Sequence, residues 1–148
     1  QLATTTNRAI SLRVDPADGI GIVVDDAVGF ATVDLGGAGV NVVSNQTKTY
    51  AGVFYDIVPE EDLAVGASNR NDEVQVLDYS GNILRTDTSE TVRKMAENVA
   101  YHDGRIYWIN KNDDLLSLNL SLEDRKVEGQ MPPINREGLD VTLDLSAL

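Results

Sequence analysis

The chain has 148 residues, of which 42% are hydrophobic and 24% are charged, a composition typical of a globular domain and not of a disordered segment. Twelve Lys and Arg against 24 Asp and Glu give a formal net charge of −12, which disfavours nucleic acid and membrane surfaces as partners and favours divalent cations or basic proteins. The absence of cysteine excludes disulfides and thiolate metal sites, and no apolar run is long enough to cross a bilayer.

The first eight residues are polar and rich in threonine, which fits an edge strand or a loose arm. From residue 10 onward, short apolar or alternating segments are separated by turn sequences such as Asp18-Gly19, a pattern that predicts antiparallel strands joined by tight turns. The strands are expected at 10–14, 21–24, 29–35 and 40–44, then at 51–58, 63–68, 73–79 and 82–86, and finally at 98–101, 105–110, 114–120 and 126–130.

Each group of four strands describes a meander, and the three meanders repeat one another. The stretches SLRVDPADGIGIVVD, FYDIVPEEDLAVGAS and NVAYHDGRIYWIN each contain an apolar strand, a turn and a second apolar strand. Their last residues, Asp25, Ser68 and Asn110, lie 43 and 42 residues apart, which is the spacing of a structural repeat. The sequence therefore predicts an all-β chain with three four-stranded units and one partial unit. Their expected ranges are 10–44, 51–86, 98–130 and, for the partial unit, 138–148.

This unit resembles the blade of six-bladed β-propellers of the YWTD type, as in the LDL receptor, whose repeat pairs a G-L-A-V-D strand with a Y-W-T-D strand. Tyr107-Trp108-Ile109-Asn110 matches the second half, and Ser11-Leu12-Arg13-Val14-Asp15 and Gly138-Leu139-Asp140-Val141 match the first. In the second copy, Val65-Gly66-Ala67-Ser68 lacks both aromatics and the acid. NHL-type and lactonase-type blades are similar. The resemblance implies one propeller segment over 1–148, in which the strand-ending residues hydrogen-bond between neighbouring blades.

Three blades and one further strand do not close a ring, since propellers have at least about four blades. The ring is expected to be completed by a second copy of the chain, by the rest of a longer protein or by a different propeller segment. A blade without a neighbour exposes strand edges and an apolar face, which promotes association. The sequence therefore predicts that the chain is not a stable isolated monomer.

Polar loops follow the second strand of each meander, and the resemblance places them on the same end of the ring. Their carboxylate and amide oxygens could converge on a cation such as calcium or on a basic group of a partner. The residues predicted for this ligand or metal site are Asp25, Asp26, Asn71, Asp72, Asn112 and Asp113. The alternative is a structural role, because Asn and Asp in loops often bond their own backbone.

Residues that suggest catalysis are few. His102 is the only histidine and lies next to Asp103 in a predicted hairpin turn, which favours a solvated position over acid–base chemistry. The sequence contains no G-x-S-x-G, H-E-x-x-H or P-loop motif. Trp108 is expected in the core between blades, as aromatic residues of strands usually are.

The segment 86–97 is the longest interruption of the meanders. Asp87 and Glu90 have capping-box spacing there, which predicts one or two helical turns on a loop. The one basic cluster of the chain lies on or near this loop, where it is expected to be solvated. It consists of Arg85, Arg93 and Lys94.

The leading hypothesis is a non-catalytic, extracellular β-propeller module that binds protein or glycan partners and associates to complete its ring. Two alternatives stay open, a calcium-dependent lactonase-like hydrolase and a structural subunit of an extracellular matrix or filament. The chain starts with Gln1 and not with Met, as a mature secreted protein or an excerpted chain does. Glycosylation sequons at Asn45 and Asn119 are consistent with a secreted glycoprotein.

Overall fold

The computed structural model describes residues 9–25, 29–37, 41–46, 53–68, 72–89, 91–92 and 99–131. These residues form twelve β-strands and one 3-10 turn, Pro59–Glu61, and none of their helical segments is long and apolar enough to span a membrane. The strands are β1 Ala9–Asp15, β2 Ile20–Asp25, β3 Gly29–Asp34, β4 Asn41–Gln46, β5 Val53–Val58, β6 Leu63–Ser68, β7 Glu73–Asp78, β8 Ile83–Asp87, β9 Val99–His102, β10 Arg105–Ile109, β11 Asp114–Asn119 and β12 Lys126–Gln130.

The strands form three separate antiparallel sheets of four strands, and each sheet is a meander whose strands pair in chain order. We call them blade 1 (β1–β4), blade 2 (β5–β8) and blade 3 (β9–β12). The fold is therefore all-β and built from propeller blades, and the three blades do not close a ring. Each strand end lies within two residues of the position that the sequence pattern predicted. The predicted partial unit at 138–148 lies outside the described residues.

Three turns share one geometry, which explains why the sequence predicts them well. In the turns that begin at Asp78, Asn110 and Asn119, a side-chain oxygen of the first residue accepts the backbone N–H of the fifth at 2.8, 3.0 and 2.9 Å. The fourth residue of each turn has a left-handed backbone, with φ of 82°, 65° and 60°. Only a short polar side chain at the first position can replace the missing strand hydrogen bond in this way.

The blades meet through their first strands, because β5 lies between β1 and β9. The half-buried carboxylate of Asp56 on β5 joins all three strands. Its Oδ2 accepts the backbone N–H of Tyr101 at 2.7 Å, and its Oδ1 accepts that of Ile57 at 3.0 Å and lies 3.5 Å from Nε of Arg13. One carboxylate therefore satisfies a donor from each neighbouring blade.

Two apolar cores fill the junctions between blades. We call the face that a blade turns to the preceding blade its back, and the face that it turns to the next blade its front. Ile22 on the front of blade 1 packs against Tyr55, Ala64 and Leu77 on the back of blade 2. The second core joins the front of blade 2 to the back of blade 3. It consists of Val58, Val65, Ala67, Val74, Val76, Val92, Val99, Ile106, Trp108, Leu116 and Leu118.

Blade 2 lacks the aromatic residues of the motif on its second strand, but an aromatic residue on its first strand, Tyr55, fills the same space. Trp108 of blade 3 is 1% exposed, as predicted for a core residue, and pairs across the sheet with Val99. Gly66 holds the same position in blade 2 and pairs with Tyr55, whose ring lies over the glycine. The large and small residues have exchanged strands, so both junctions are filled by one large ring.

The segment between blades 2 and 3 is not helical in its described residues, 88–89 and 91–92. Asp87 is the last residue of β8, and its carboxylate accepts the backbone N–H and the hydroxyl of Ser89 at 2.9 and 3.0 Å. Val92 is 1% exposed because it enters the core between these blades. This anchor holds the chain against the blades at the expected helix start. Arg85 lies within β8, whereas Arg93 and Lys94 lie outside the described residues.

Gly66→Ala is expected to lower the free energy of unfolding by about 1–3 kcal/mol, the usual range for overpacking a core. The reason is that a Cβ on residue 66 would lie 2.5 Å from Cε1 of Tyr55. In a Tyr55→Leu background most of this penalty should disappear, because leucine places no ring over position 66. The measurement is urea unfolding of the four proteins at one protein concentration.

Gly129→Ala is the matched control, because a Cβ at this strand position meets nothing within 4 Å. It should change the free energy of unfolding by no more than about 0.5 kcal/mol. If Gly66→Ala lowered the free energy of unfolding equally in the wild type and in Tyr55→Leu, the ring of Tyr55 would not be what fills the space over position 66.

Candidate functional site

The end of the blades that carries the β1–β2, β5–β6 and β9–β10 turns is strongly acidic, and we call it the inner-turn end. Antiparallel pairing places the β2–β3, β6–β7 and β10–β11 connections at the opposite end. The exposed carboxylates of these three inner turns are Asp18, Glu60, Glu61, Asp62 and Asp103. They give one end of the molecule a negative field that a cation or a basic group would meet first.

Three carboxylates converge where blades 1 and 2 meet, and we call them the junction carboxylates. Asp15 is the last residue of β1, Asp18 lies in the following turn, and Asp62 follows the 3-10 turn of blade 2 with a left-handed φ of 54°. One oxygen from each lies within 4.8 Å of the others. Asp15 is 1% exposed, whereas Asp18 and Asp62 are exposed. The cluster is therefore anchored in the protein on one side and open to solvent on the other.

Hydrogen bonds fix the anchored side of this cluster. Oδ1 of Asp15 accepts the backbone N–H of Ala17 at 3.0 Å, and Oδ2 accepts the phenol of Tyr79 at 2.8 Å. Tyr79 belongs to the β7–β8 turn of blade 2, and its backbone carbonyl accepts the hydroxyl of Thr32 in blade 1. Two polar contacts thus lock the blades together directly beneath the exposed carboxylates.

The crowding of like charges changes how these groups titrate. A shared hydrogen bond and the charge of Asp62 raise the pKa of Asp18, and burial and the charge of Asp15 add to the rise. Burial, followed by the hydrogen bond to Asp15, raises the pKa of Tyr79 well above its ordinary value. At neutral pH the junction carboxylates therefore repel one another, and the phenol stays a hydrogen-bond donor.

A second phenol–carboxylate contact crosses the junction between blades 2 and 3 at the same end. The hydroxyl of Tyr101 donates to Oε1 of Glu60 at 2.5 Å. Burial and this bond raise the pKa of Tyr101 to about 12, while the bond lowers the pKa of Glu60. Each junction is thus closed at this end by a tyrosine that donates to an acid of the neighbouring blade.

Among the described residues, the junction carboxylates are the acids that approach one another closely enough to hold a divalent cation. Calcium prefers several carboxylate and carbonyl oxygens, and three acids would supply part of such a shell. The sequence prediction placed a ligand site at the other end and did not include Asp15, Asp18 or Asp62. The signal was available, because the turns at 16–19 and 59–62 follow the first strands of successive repeats.

At the opposite end, Asp72 is engaged with its own protein. Its Oδ2 lies 2.6 Å from Nζ of Lys111, and its Oδ1 accepts the backbone N–H of Val92 at 3.0 Å. Both contacts lower the pKa of Asp72, with the lysine as the larger cause. The backbone N–H of Lys111 also donates to the hydroxyl of Thr91 at 3.2 Å. At this end, the junction between blades 2 and 3 is therefore held together by the ion pair of Asp72 with Lys111.

Asn112 and Asp113, which were predicted to supply oxygen ligands, lie in the turn that begins at Asn110. Oδ1 of Asn110 accepts the backbone N–H groups of Asn112 and Asp114 at 2.9 and 3.0 Å, and its Nδ2 donates to Asp114 at 3.1 Å. Asp113 has the left-handed backbone of this turn, with φ of 65°. Asn110 follows the last residue of β10 and is 3% exposed, so it shapes its own turn from within the protein.

The other predicted site residues divide between described and undescribed parts of the chain. Asp25 closes β2, where it pairs with Ala9 and Gly29. Ser68, for which the resemblance implied a structural role and not a ligand role, closes β6 and is 1% exposed. Asp26 and Asn71 lie outside the described residues. A shared ligand site at this end stays a prediction from the sequence.

Both sequon asparagines belong to strands. Asn45 lies in β4 opposite Ala31, and Asn119 is the last residue of β11. The two hydrogen bonds that Asn119 accepts from backbone N–H groups use its amide oxygen, whereas a glycan attaches to the amide nitrogen. Glycosylation stays a prediction. His102 is exposed at the end of β9, beside Asp103 in the turn.

Comparison with known proteins identifies the fold. No protein-family model matches the chain, and no curated protein matches it. Fifty chains of solved structures match. One is the crystal structure of a nidogen/laminin complex, with a TM-score of 0.62 and 16% sequence identity over 84% of this chain and 49% of that one. This chain thus spans about half the length of that similar chain, and the likeness supports a β-propeller architecture.

Asp18→Asn is expected to raise the melting temperature at pH 7, because it removes a charge that Asp62 and Asp15 repel. The pKa of Asp18 is raised in the folded protein above its ordinary value of 3.8. At pH values between the unfolded-state pKa and the folded-state pKa, the folded state therefore binds more protons than the unfolded state. The wild type therefore loses stability as pH rises through this window. The gain from Asp18→Asn should shrink as pH falls toward 4, as thermal scans across this range would show.

Asp103→Asn is the matched control, since Asp103 is an exposed aspartate in the corresponding turn of blade 3. It should lack the pH-dependent gain. Equal gains from both variants, or a gain from Asp18→Asn that does not change with pH, would contradict repulsion within the cluster.

Proposed function

We propose that this chain is a non-catalytic, extracellular propeller module that binds a basic protein partner through its acidic inner-turn end. The observation that carries the proposal is the convergence of the exposed Asp18 and Asp62 above the buried Asp15 in a protein with a net charge of −12. We also propose that the module associates through its blade faces to complete the ring, with another propeller segment or a second copy as partner.

The inner-turn end has the physical properties of a docking surface. Its carboxylates stand on turns of neighbouring rigid sheets, and the phenols of Tyr79 and Tyr101 hold two of them in place. A preorganised surface loses little conformational entropy on binding. Its charges would accelerate encounter with a basic partner and reject acidic ones. The expected partner is therefore a Lys-rich or Arg-rich protein segment.

The similar solved structure is that of a nidogen/laminin complex, in which one protein is bound to another. This likeness supports a role in protein binding for a chain with this architecture. An extracellular location is supported by the resemblance to YWTD propellers and by the two sequons, at Asn45 and Asn119. A structural subunit of a matrix or filament would use the same blade faces in open assemblies, so closed discrete particles would count against it.

Neutralising the acidic surface tests the proposal. The variant Asp18→Asn/Glu60→Gln/Asp62→Asn should bind poly-L-lysine at least roughly tenfold more weakly than the wild type at low ionic strength, because charge pairs at such surfaces govern encounter and selectivity. The measurement is fluorescence anisotropy with labelled poly-L-lysine at several salt concentrations, with poly-L-glutamate as the probe that should not bind.

The matched control is Glu73→Gln/Asp87→Asn/Asp113→Asn, which removes the same number and kinds of charge at the opposite end. It should bind poly-L-lysine with nearly wild-type affinity. Equal losses in the two triple variants would show that net charge alone governs binding, and the acidic surface would then not be a specific docking site.

Calcium binding stays a prediction, and it bears on the calcium-dependent hydrolase that the sequence left open. An ion held by the junction carboxylates would bind the folded state alone, so millimolar calcium should raise the melting temperature. Asp62→Asn should remove this rise, whereas Asp103→Asn should preserve it. A melting temperature that calcium leaves unchanged in the wild type would exclude calcium at this cluster and remove the main support for the hydrolase.

A further inference from the structure

Gln75 carries an amide into the junction between blades 1 and 2. It lies on β7, is 2% exposed and pairs with Gly66 on β6. Val74 and Val76, its neighbours in the strand, belong to the core that joins blades 2 and 3. Because side chains alternate along a strand, Gln75 projects from the back of blade 2, toward blade 1. An amide is therefore buried between two sheets, where it needs hydrogen-bond partners.

The described residues satisfy only the nitrogen of this amide. Nε2 of Gln75 donates to Oε2 of Glu73 at 2.7 Å, whereas Oε1 is buried and accepts no hydrogen bond from them. Turning the amide over would bring Oε1 against the Glu73 carboxylate, and two acceptors repel each other, so the orientation of the amide is fixed. A buried acceptor without a donor destabilises the fold, because it has lost its hydrogen bonds to water. Oε1 of Gln75 therefore requires a donor.

The second and third strands of blade 1 face this junction and offer no free donor. Ile22 on β2 lies in its core, and the hydroxyl of Thr32 on β3 already donates to the backbone carbonyl of Tyr79. The backbone N–H groups of β2 and β3 are used within the sheet, since each of these strands has a neighbour on both sides. The residues that alternate onto the same face have no side-chain donor by their chemistry; they are Ile20, Val24, Phe30 and Asp34.

Blade 3 fills the corresponding row with apolar residues. Gln75 and Leu116 are the third-strand residues that pair with Gly66 and Trp108. Leu116 has no exposed surface and lies in the apolar core between blades 2 and 3. On the first strand of this row, blade 2 has the phenol of Tyr55, where blade 3 has a valine. Blade 2 thus carries two polar groups, a phenol and an amide, in one row of one junction.

The phenol of Tyr55 extends toward Gln75. Gly66 lies between them in the sheet, and a Cβ on it would lie 2.7 Å from Cδ1, 2.5 Å from Cε1 and 3.3 Å from Cζ of the ring. The ring therefore crosses β6 from β5, which places its hydroxyl on the side of β7. The amide oxygen accepts no hydrogen bond from this hydroxyl directly. A small molecule that both donates and accepts hydrogen bonds would join the two groups.

We propose that a water molecule is bound between blades 1 and 2, where it donates to Oε1 of Gln75 and hydrogen-bonds the phenol of Tyr55. Buried waters typically make about three hydrogen bonds to groups that the protein leaves unsatisfied. Water fits this site better than a metal ion, because the carboxylate of Glu73 lies on the nitrogen side of the amide and not beside Oε1. The site lies inside the junction, so it is independent of the function proposed for the inner-turn end.

Direct observation of the water is the first test. A high-resolution crystal structure should show one ordered water about 2.7–3.2 Å from Oε1 of Gln75. In solution, the side-chain NH2 protons of Gln75 should show a strong NOE to slowly exchanging water. Gln130 is the matched control, because its exposed side chain at the end of β12 meets only rapidly exchanging surface water. A protein donor or a metal ion at Oε1, or the lack of an ordered water there, would overturn the proposal.

A double-mutant cycle tests the bridge between the two residues. Gln75→Leu and Tyr55→Phe should each lower the melting temperature by roughly 2–4 °C, the effect of one lost hydrogen bond in a chain of this size. The double variant should melt above either single variant, because replacing both polar partners by apolar groups of similar shape is nearly neutral. The measurement is thermal unfolding followed by circular dichroism at one protein concentration. Losses that add in the double variant would overturn the bridge.

Leu116→Gln is the reciprocal control, because it places an amide at the corresponding position of blade 3, whose row has no phenol. It should lower the melting temperature more than Gln75→Leu does, since the new amide is buried in an apolar core without a partner. A smaller or equal loss would mean that either junction accepts an amide at this position, and the assignment of a specific water site to blade 2 would fail.

Discussion

A four-stranded meander with two apolar faces needs a neighbour on each of them, and this constraint governs the molecule. Where a neighbour is present, burial is nearly complete: Val58, Val65 and Val76 on the front of blade 2 have no exposed surface. Fully burying such a side chain contributes about 1.5–3 kcal/mol relative to leaving it in water, so each junction is a major source of stability. The apolar back of blade 1 is the same kind of surface, and its Leu12 is 56% exposed and its Val14 42% exposed.

Polar contacts between blades determine how one sheet is oriented on the next, which the apolar cores alone do not determine. Burial alone does not fix the angle or register of one sheet on another, whereas hydrogen bonds are directional. Asp56 ties the first strands of the three blades together, and Asp15 with Tyr79 ties the first two blades at the inner-turn end. The ion pair of Lys111 with Asp72 ties the second and third at the opposite end. A rigid frame therefore carries the exposed acids, which repel one another and would be relieved by a basic partner.

The blades conserve the combined side-chain volume of corresponding cross-strand pairs, whereas the identities of the individual residues differ. Trp108 with Val99 in blade 3 and Gly66 with Tyr55 in blade 2 fill equivalent spaces by opposite assignments of large and small residues. When single positions are compared, blade 2 lacks the aromatic residue that blade 3 has at Trp108. When cross-strand pairs are compared, blade 2 has an aromatic residue in the same pair, at Tyr55 on the neighbouring strand. Likewise, the turn that begins at Asn110 uses the motif position for a local cap, since an asparagine can satisfy two backbone donors of its own turn.

Sequence alone determined the strands, their order and the turns, because alternation of apolar residues and the turn chemistry of Asp, Asn and Gly act over a few neighbouring positions. It also indicated the three-blade division through its spacing. Only the tertiary structure decided which side chains meet between blades. Tyr79 and Asp15 are 64 residues apart in the chain, and Asp72 and Lys111 are 39 apart. Such contacts depend on the stacking of sheets, so the acidic cluster, which joins turns of two blades, became visible only when the blades were placed side by side.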